Sequence, residues 1–168
     1  MASGKSTLAS ALARECSLAF VDLDETVEAV AGVSIPEIFR MQGEEVFRSV
    51  EASTLRRVAE PGAVIACGGG TPCFGDNLDF MLSAGTVVCL RASVDTIMRR
   101  LLEAPQGKRP LIDAYRDGTG ALRERIVHML AAREPYYSRA HADFDANRLD
   151  TADQIADSIA LFRHQFKL

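Results

Sequence analysis

No run in the 168 residues approaches the roughly 18 apolar positions that a bilayer-spanning helix needs. The opening residues, MASGKST, hold no apolar leader segment. A basic surplus is missing too: 19 Lys and Arg stand against 23 Asp and Glu, a formal net charge of −4 with an isoelectric point near 5.4. Nucleic-acid binders draw most of their affinity from neutralising phosphates, so this balance argues against a nucleic-acid partner while leaving room for a local basic pocket. Cys16, Cys67, Cys73 and Cys89 form no C-x-x-C pair, and none lies at zinc-ligand spacing from a histidine. His128, His141 and His164 are too dispersed to suggest a metal site. Scattered thiols of this kind fit a reducing compartment. Repeats, low-complexity tracts and long linkers are absent as well. The expectation is a soluble cytoplasmic domain that engages neither membrane nor nucleic acid.

What remains is an ordinary globular composition, 48% apolar and 25% charged, at a length that buries one core without staples. Residues 5–16 read as a helix with Leu8, Ala11 and Leu12 on one face, and Leu18–Val21 as a strand running into Asp22-Leu23-Asp24. Two or three short helices are expected from there to about Ala59. One opens at Ser34-Ile35-Pro36-Glu37, a capping-box pattern with proline in the first turn. Ala63–Cys67 and Thr86–Leu90 are further apolar runs, the first ending in Gly68-Gly69-Gly70. Helices are expected over 93–103, 119–134 and 151–165, and a last short strand around Asp143–Ala146. Short apolar runs separated by helices predict a parallel sheet buried on both faces, hence a three-layer α/β/α fold. Ligands in such folds bind beyond the carboxyl ends of the strands, where Asp22, Asp24 and Gly68–Gly70 fall.

Ser3-Gly4-Lys5-Ser6-Thr7 opens the first helix and matches the back half of the phosphate-loop pattern G-x-x-x-x-G-K-[ST]. Backbone N–H groups and the positive end of the helix would cradle phosphates. Lys5 would reach the β- and γ-phosphates of ATP, and the Ser6 hydroxyl would ligate Mg²⁺. The alternative is a plain helix start with Ser3 as cap and Lys5 exposed. The first glycine of the pattern would lie two residues before Met1, and the strand that such a loop follows is also not in the sequence. The expectation is a P-loop fold without its first strand, with the edges of both neighbours open. A start placed downstream of the true one, or an incomplete chain, fits that physics better than a native truncation, which would impair ATP binding.

The acceptor side is richer. Asp22 and Asp24, two apart past a strand, suit Mg²⁺ and an acceptor hydroxyl; the structural alternative for Asp24 is a helix N-cap. Arg48 and Glu51 are i,i+3 on one helix, so the carboxylate would hold a guanidinium whose fork suits a carboxylate ligand. Gly68-Gly69-Gly70 allows close backbone approach to a ligand. Residues 104–120, rich in Pro, Gly and charge, read as a mobile loop from which Arg109 would swing over the phosphates. Arg133, in A-A-R-E-P-Y-Y, lies near a helix end, where a cation is favourable in any case.

In order, G-K-S, D-L-D, S-I-P-E-I-F, G-E-x-x-F-R-x-x-E, G-G-G, R-P-L and A-x-R-x-x-x-Y resemble the shikimate kinase family from Met1 to about Ala146. Nucleoside monophosphate and gluconate kinases share the phosphate loop but not this acceptor set. The resemblance implies a monomeric single kinase domain over 1–168, with an acceptor-binding helical segment at about 24–59 and a lid at about 104–119. It implies ATP-dependent phosphorylation of the 3-hydroxyl of shikimate, with Mg²⁺. By the same resemblance, Ser3, Gly4, Lys5, Ser6 and Thr7 bind the nucleotide phosphates, and Arg100, or its neighbour Arg99, packs near the adenine, with Asn147-Arg148 a weak match to the adenine loop. Asp22 and Ser6 serve the metal. Asp24 holds the acceptor hydroxyl and acts as its base. Arg48, Arg133 and Gly68–Gly70 receive the carboxylate and ring, and Lys5 and Arg109 stabilise the transferring group. A kinase of another small hydroxy acid such as gluconate, and a catalytically impaired P-loop binding protein, are the alternatives.

Overall fold

The computed structural model describes residues 2–103 and 119–167. Helix α1 (Lys5–Glu15) leads to strand β1 (Ala19–Asp22), then α2 (Leu23–Ala31) and α3 (Ile35–Val58). Strand β2 (Ala63–Ala66) runs through a glycine turn into a 3₁₀ turn (Thr71–Cys73) and α4 (Asn77–Ala84). Then come β3 (Val88–Arg91), α5 (Val94–Glu103), α6 (Thr119–Tyr137), β4 (Ala142–Asp145) and α7 (Ala152–Phe166). No helix among the described residues is long and apolar enough to cross a membrane.

All pairing is parallel. Ala19–Asp22 align with Ala63–Ala66, and Val88–Arg91 with Ala142–Asp145. Side chains alternate across β2. Val64 packs against the cluster of Leu8, Leu12, Phe144 and Phe162, built by α1, β4 and α7. Ile65 packs against Leu23, Val27, Ile38 and Leu55, from α2 and α3. A strand apolar on both faces between two helical layers is the three-layer arrangement read from the sequence. A third cluster, Ile97, Leu101, Leu122 and Ile126, joins α5 to α6.

The single sheet expected from the alternation is realised as two pairs, β1–β2 and β3–β4, with no ladder joining them among the described residues. Between β2 and β3 lies an apolar cavity of about 420 Å³, lined by Leu8, Leu12, Val64, Ala66, Val88 and Phe162. The edges of β2 and β3 that line it have no ladder partner among the described residues.

Local chemistry explains the boundaries. Ser34 and Glu37 make the capping box: the Ser34 backbone N–H and hydroxyl both donate to Glu37 Oε2, at 2.9 and 2.6 Å. The α3 axis breaks at Gly43, whose φ of 82° and ψ of 176° lie in a region open essentially to glycine alone. With α2, the two helical segments on either side of Gly43 make up the two or three short helices expected up to about Ala59. Sequence reading missed α4 and the 3₁₀ turn. The four cysteines are free and half-buried.

Candidate active site

Helix α1 starts at Gly4, which has the left-handed φ of 85°. A Cβ there would sit 2.7 Å from Leu149 Cδ1, so both conformation and space demand glycine. The cap is Gly4 itself with no side-chain bond, which corrects the alternative of Ser3 as cap. Ser3 is buried directly behind it. Ser6 Oγ donates to Asp22 Oδ2 at 2.5 Å, so the start of α1 is tied to the carboxyl end of β1. Thr7 follows Ser6 on the exposed side of the first turn. A cavity of about 200 Å³ opens beside this turn, with Ser3, Lys5, Gly68, Gly69 and Tyr137 in its wall.

Asp22 is also the N-cap of α2: its Oδ1 accepts from the backbone N–H groups of Asp24 and Glu25 at 3.1 and 3.4 Å. The capping role offered as the alternative for Asp24 therefore belongs to Asp22, because β1 runs to Asp22 and the helix begins one residue later. That leaves the Asp24 carboxylate free of capping duty and turned toward the glycine turn, where a Cβ on Gly68 would lie 3.1 Å from its Oδ1. Crowding by protein atoms pushes the Asp24 carboxyl above its ordinary value of 3.8; Asp22 pushes it the same way and the Lys5 charge opposes.

Arg48 reaches the same turn from the second half of α3. Its Nη1 donates to Glu51 Oε2 at 2.8 Å, and its Nη2 and Nε donate to Glu44 Oε1 at 3.0 and 3.2 Å. The guanidinium also stacks 3.7 Å over the Phe74 ring. A guanidinium has five N–H donors, so one on each Nη is left beside Gly70, where a Cβ would lie 3.2 and 3.3 Å from the two nitrogens. Glu51 is 1% exposed and satisfied on both oxygens, since Thr71 Oγ1 donates to its Oε1 at 2.7 Å. The ion pair is thus no surface pair: the carboxylate is fully buried and locks Arg48 to the turn.

The turn is stapled downstream, with Thr71 N–H donating to Gly68 O and Cys73 N–H to Gly70 O, at 3.1 and 2.8 Å. Gly70 is buried, yet its N–H has no hydrogen-bond partner among the described residues. A buried donor left open in this way points to a ligand. Arg133, from the last turns of α6, closes the group and lies beside Tyr137 and Cys73.

Arg100 stands apart from this cluster, beside the start of α1, where its Nη1 lies 3.5 Å from Ala2 O. Its Nε donates to Asp150 Oδ1 at 2.8 Å and its Nη1 to Ala146 O at 3.0 Å, which pins α5 to the loop after β4. Nη2 reaches Asn147 O at 3.3 Å. Arg99 shares Asp150 through Oδ2 at 2.5 Å. Arg109 and the lid over 104–118 lie outside the described residues. Thr71, Tyr137 and Asp150 were missed as site components. Tyr137 alone had a visible signal, standing i+4 from Arg133 on one helical face.

The fold and this site define a class. A parallel α/β domain whose Gly-Lys-Ser helix start faces a carboxylate and an arginine-glycine acceptor pocket is a P-loop phosphotransferase. A model of the shikimate kinase family matches residues 1–162, and the chain belongs to that family. It is 39% identical to shikimate kinase of Parabacteroides distasonis, over 94% of this chain and 90% of the relative. Shikimate kinase of Thermus thermophilus is 38% identical, over 98% and 87%. The crystal structure of shikimate kinase from Bacteroides thetaiotaomicron superposes with a TM-score of 0.94 at 36% identity, covering 100% of this chain and 94% of that one. The Acinetobacter baumannii shikimate kinase, solved in complex with shikimate, gives 0.84 at 25% identity, covering 99% and 89%.

Proposed function

We propose that this chain performs its family's reaction, ATP-dependent phosphorylation of the 3-hydroxyl of shikimate, with the residue roles read from its own site. The observation that carries this reading is the convergence of Asp24, Arg48 and the open Gly70 N–H on one turn, beside the Ser6–Asp22 pair at the start of α1.

The two remaining Arg48 donors, Arg133 and the Gly70 N–H suit a small carboxylate bearing hydroxyls. Asp24 sits at the other end of that turn, beside Gly68, and accepts the proton of the attacking hydroxyl. Its raised pKa makes it a better base near neutrality than an ordinary aspartate. Lys5 and the N–H groups at the start of α1 neutralise phosphate oxygens as charge shifts to the leaving group. Oxygen donors in small number suit Mg²⁺, which keeps most of its waters; Ser6 and Asp22 provide such a pair and would hold it. When bound, the ion neutralises charge on the β- and γ-phosphates. Arg100, held by Asp150, borders the nucleotide base, and Arg109 completes the charge neutralisation from the lid by family resemblance. A single kinase domain over 1–168, a monomeric state, a cytoplasmic location and the absence of a nucleic-acid partner belong to the same reading.

The test is a coupled ADP-release assay with MgATP. Shikimate-dependent turnover with none on gluconate is expected; turnover on gluconate alone, or none on shikimate, overturns the reading.

A further inference from the structure

Tyr137 belongs to no role assigned so far, yet it makes the shortest contact to the glycine turn. Its hydroxyl donates to the Gly69 carbonyl at 2.6 Å. Among the described residues the other donor to that oxygen is the Cys73 thiol, at 3.9 Å. Arg133, one helical turn earlier on α6, lies beside the phenol, and its positive charge acts on it. Burial raises the Tyr137 pKa, so the phenol keeps its proton through the neutral range and remains a donor.

The consequence follows from peptide geometry. The Gly69–Gly70 peptide is planar and trans, so its carbonyl and its N–H point in opposite directions. Holding the Gly69 oxygen toward α6 therefore turns the Gly70 N–H away from α6. Two adjacent glycines offer no side chain to resist a flip of that plane. The bonds from Thr71 and Cys73 fix the carbonyls of Gly68 and Gly70 and leave the one between them free. Tyr137 alone holds it strongly.

We infer that Tyr137 is a positioning residue for the acceptor substrate: by holding the Gly69 carbonyl it sets the direction of the Gly70 N–H, without touching the reacting atoms. This rests on the reading of the turn as the shikimate site.

The test compares steady-state kinetics of the wild-type chain and Tyr137→Phe, which keeps the ring and removes the hydroxyl. KM for shikimate is expected to rise roughly three- to tenfold, the factor carried by one net hydrogen bond. KM for ATP and kcat stay within about twofold, because the nucleotide side does not contact the phenol. Thermal unfolding of both proteins is measured alongside. An unchanged KM for shikimate overturns the inference, as does a parallel rise in both KM values with a lowered melting midpoint, which marks a merely structural role. Absence of shikimate turnover in the wild-type chain would instead overturn the functional reading beneath it, and this inference with it.

Discussion

Asp24 is the residue to which the proposed function assigns the proton transfer, and its environment works against its own charge. Replacing it with asparagine is expected to lower kcat about a hundredfold or more, the range of a general base, while nucleotide binding measured by titration stays close to wild type. The acid limb of kcat/KM reports the same group. Because the folded carboxyl sits above 3.8, the limb is centred above the ordinary aspartate value and disappears with Asp24→Asn. The stability sign is opposite to that of a paired carboxylate. The fold favours the proton, so stability falls as pH rises from the ordinary value through the raised one, and the folded state carries that cost at neutrality. Asp24→Asn should therefore unfold at slightly higher denaturant than wild type at pH 7, a small gain because Asp24 is open to the cleft. Gly70 gives a second prediction. A methyl group there meets the Arg48 guanidinium at 3.2 Å, so Gly70→Ala pushes the fork aside, and KM for shikimate should rise about tenfold with little change for ATP.

Helix α3 shows how an element aims a side chain. Its glycine bend at Gly43 redirects the segment that carries Glu44, Arg48 and Glu51. Alanine at 43 would hold a conformation that side chains avoid, so Gly43→Ala is expected to cost about 1–3 kcal/mol in urea unfolding. Glu51→Ala strands Arg48 and Thr71 without their shared acceptor. Breaking a buried pair costs roughly 3–5 kcal/mol; Arg48 is 18% exposed, so about 2–3 kcal/mol is expected here by the same urea unfolding. Much of this was legible beforehand, because i,i+3 spacing, a capping box and glycine clusters are local signals. Arg48 with Glu51 and Ser34 with Glu37 were readable for that reason. Thr71 on Glu51 and Asp150 on Arg100 join residues 20 and 50 positions apart, and no local pattern announces such partners. Helix α4 escaped notice because it spans only eight residues after a turn rich in Gly, Pro and Asp. Asp24 stood as an alternative cap in place of Asp22 because of the two-residue uncertainty common to helix boundaries.

Across the whole molecule, the expected sheet is divided. β1–β2 carries the start of α1 and the acceptor aspartate, and β3–β4 adjoins the loop gripped by Arg100. Backbone amides on the facing edges of β2 and β3 have no ladder partner among the described residues, so hydrogen exchange along Ala63–Ala66 and Val88–Arg91 should be faster on those edges than at the amides paired within β1–β2. Protection equal to that of the paired amides would show that the seam is closed in solution.

The cavity in that seam bears on a variable that neither temperature nor denaturant probes. Pressure favours whichever state occupies less volume, and unfolding eliminates internal voids. The gap between β2 and β3, about 420 Å³ and lined mostly by aliphatic and aromatic side chains, is half open to solvent, so only the part of it that stays dry adds to the volume lost on unfolding. The expected consequence is a modest sensitivity to hydrostatic pressure, set by that dry part. A seam-filling Val88→Phe variant is expected to move the pressure midpoint upward more than its thermal midpoint changes. High-pressure tyrosine fluorescence would read the difference directly, as a smaller magnitude of the unfolding volume.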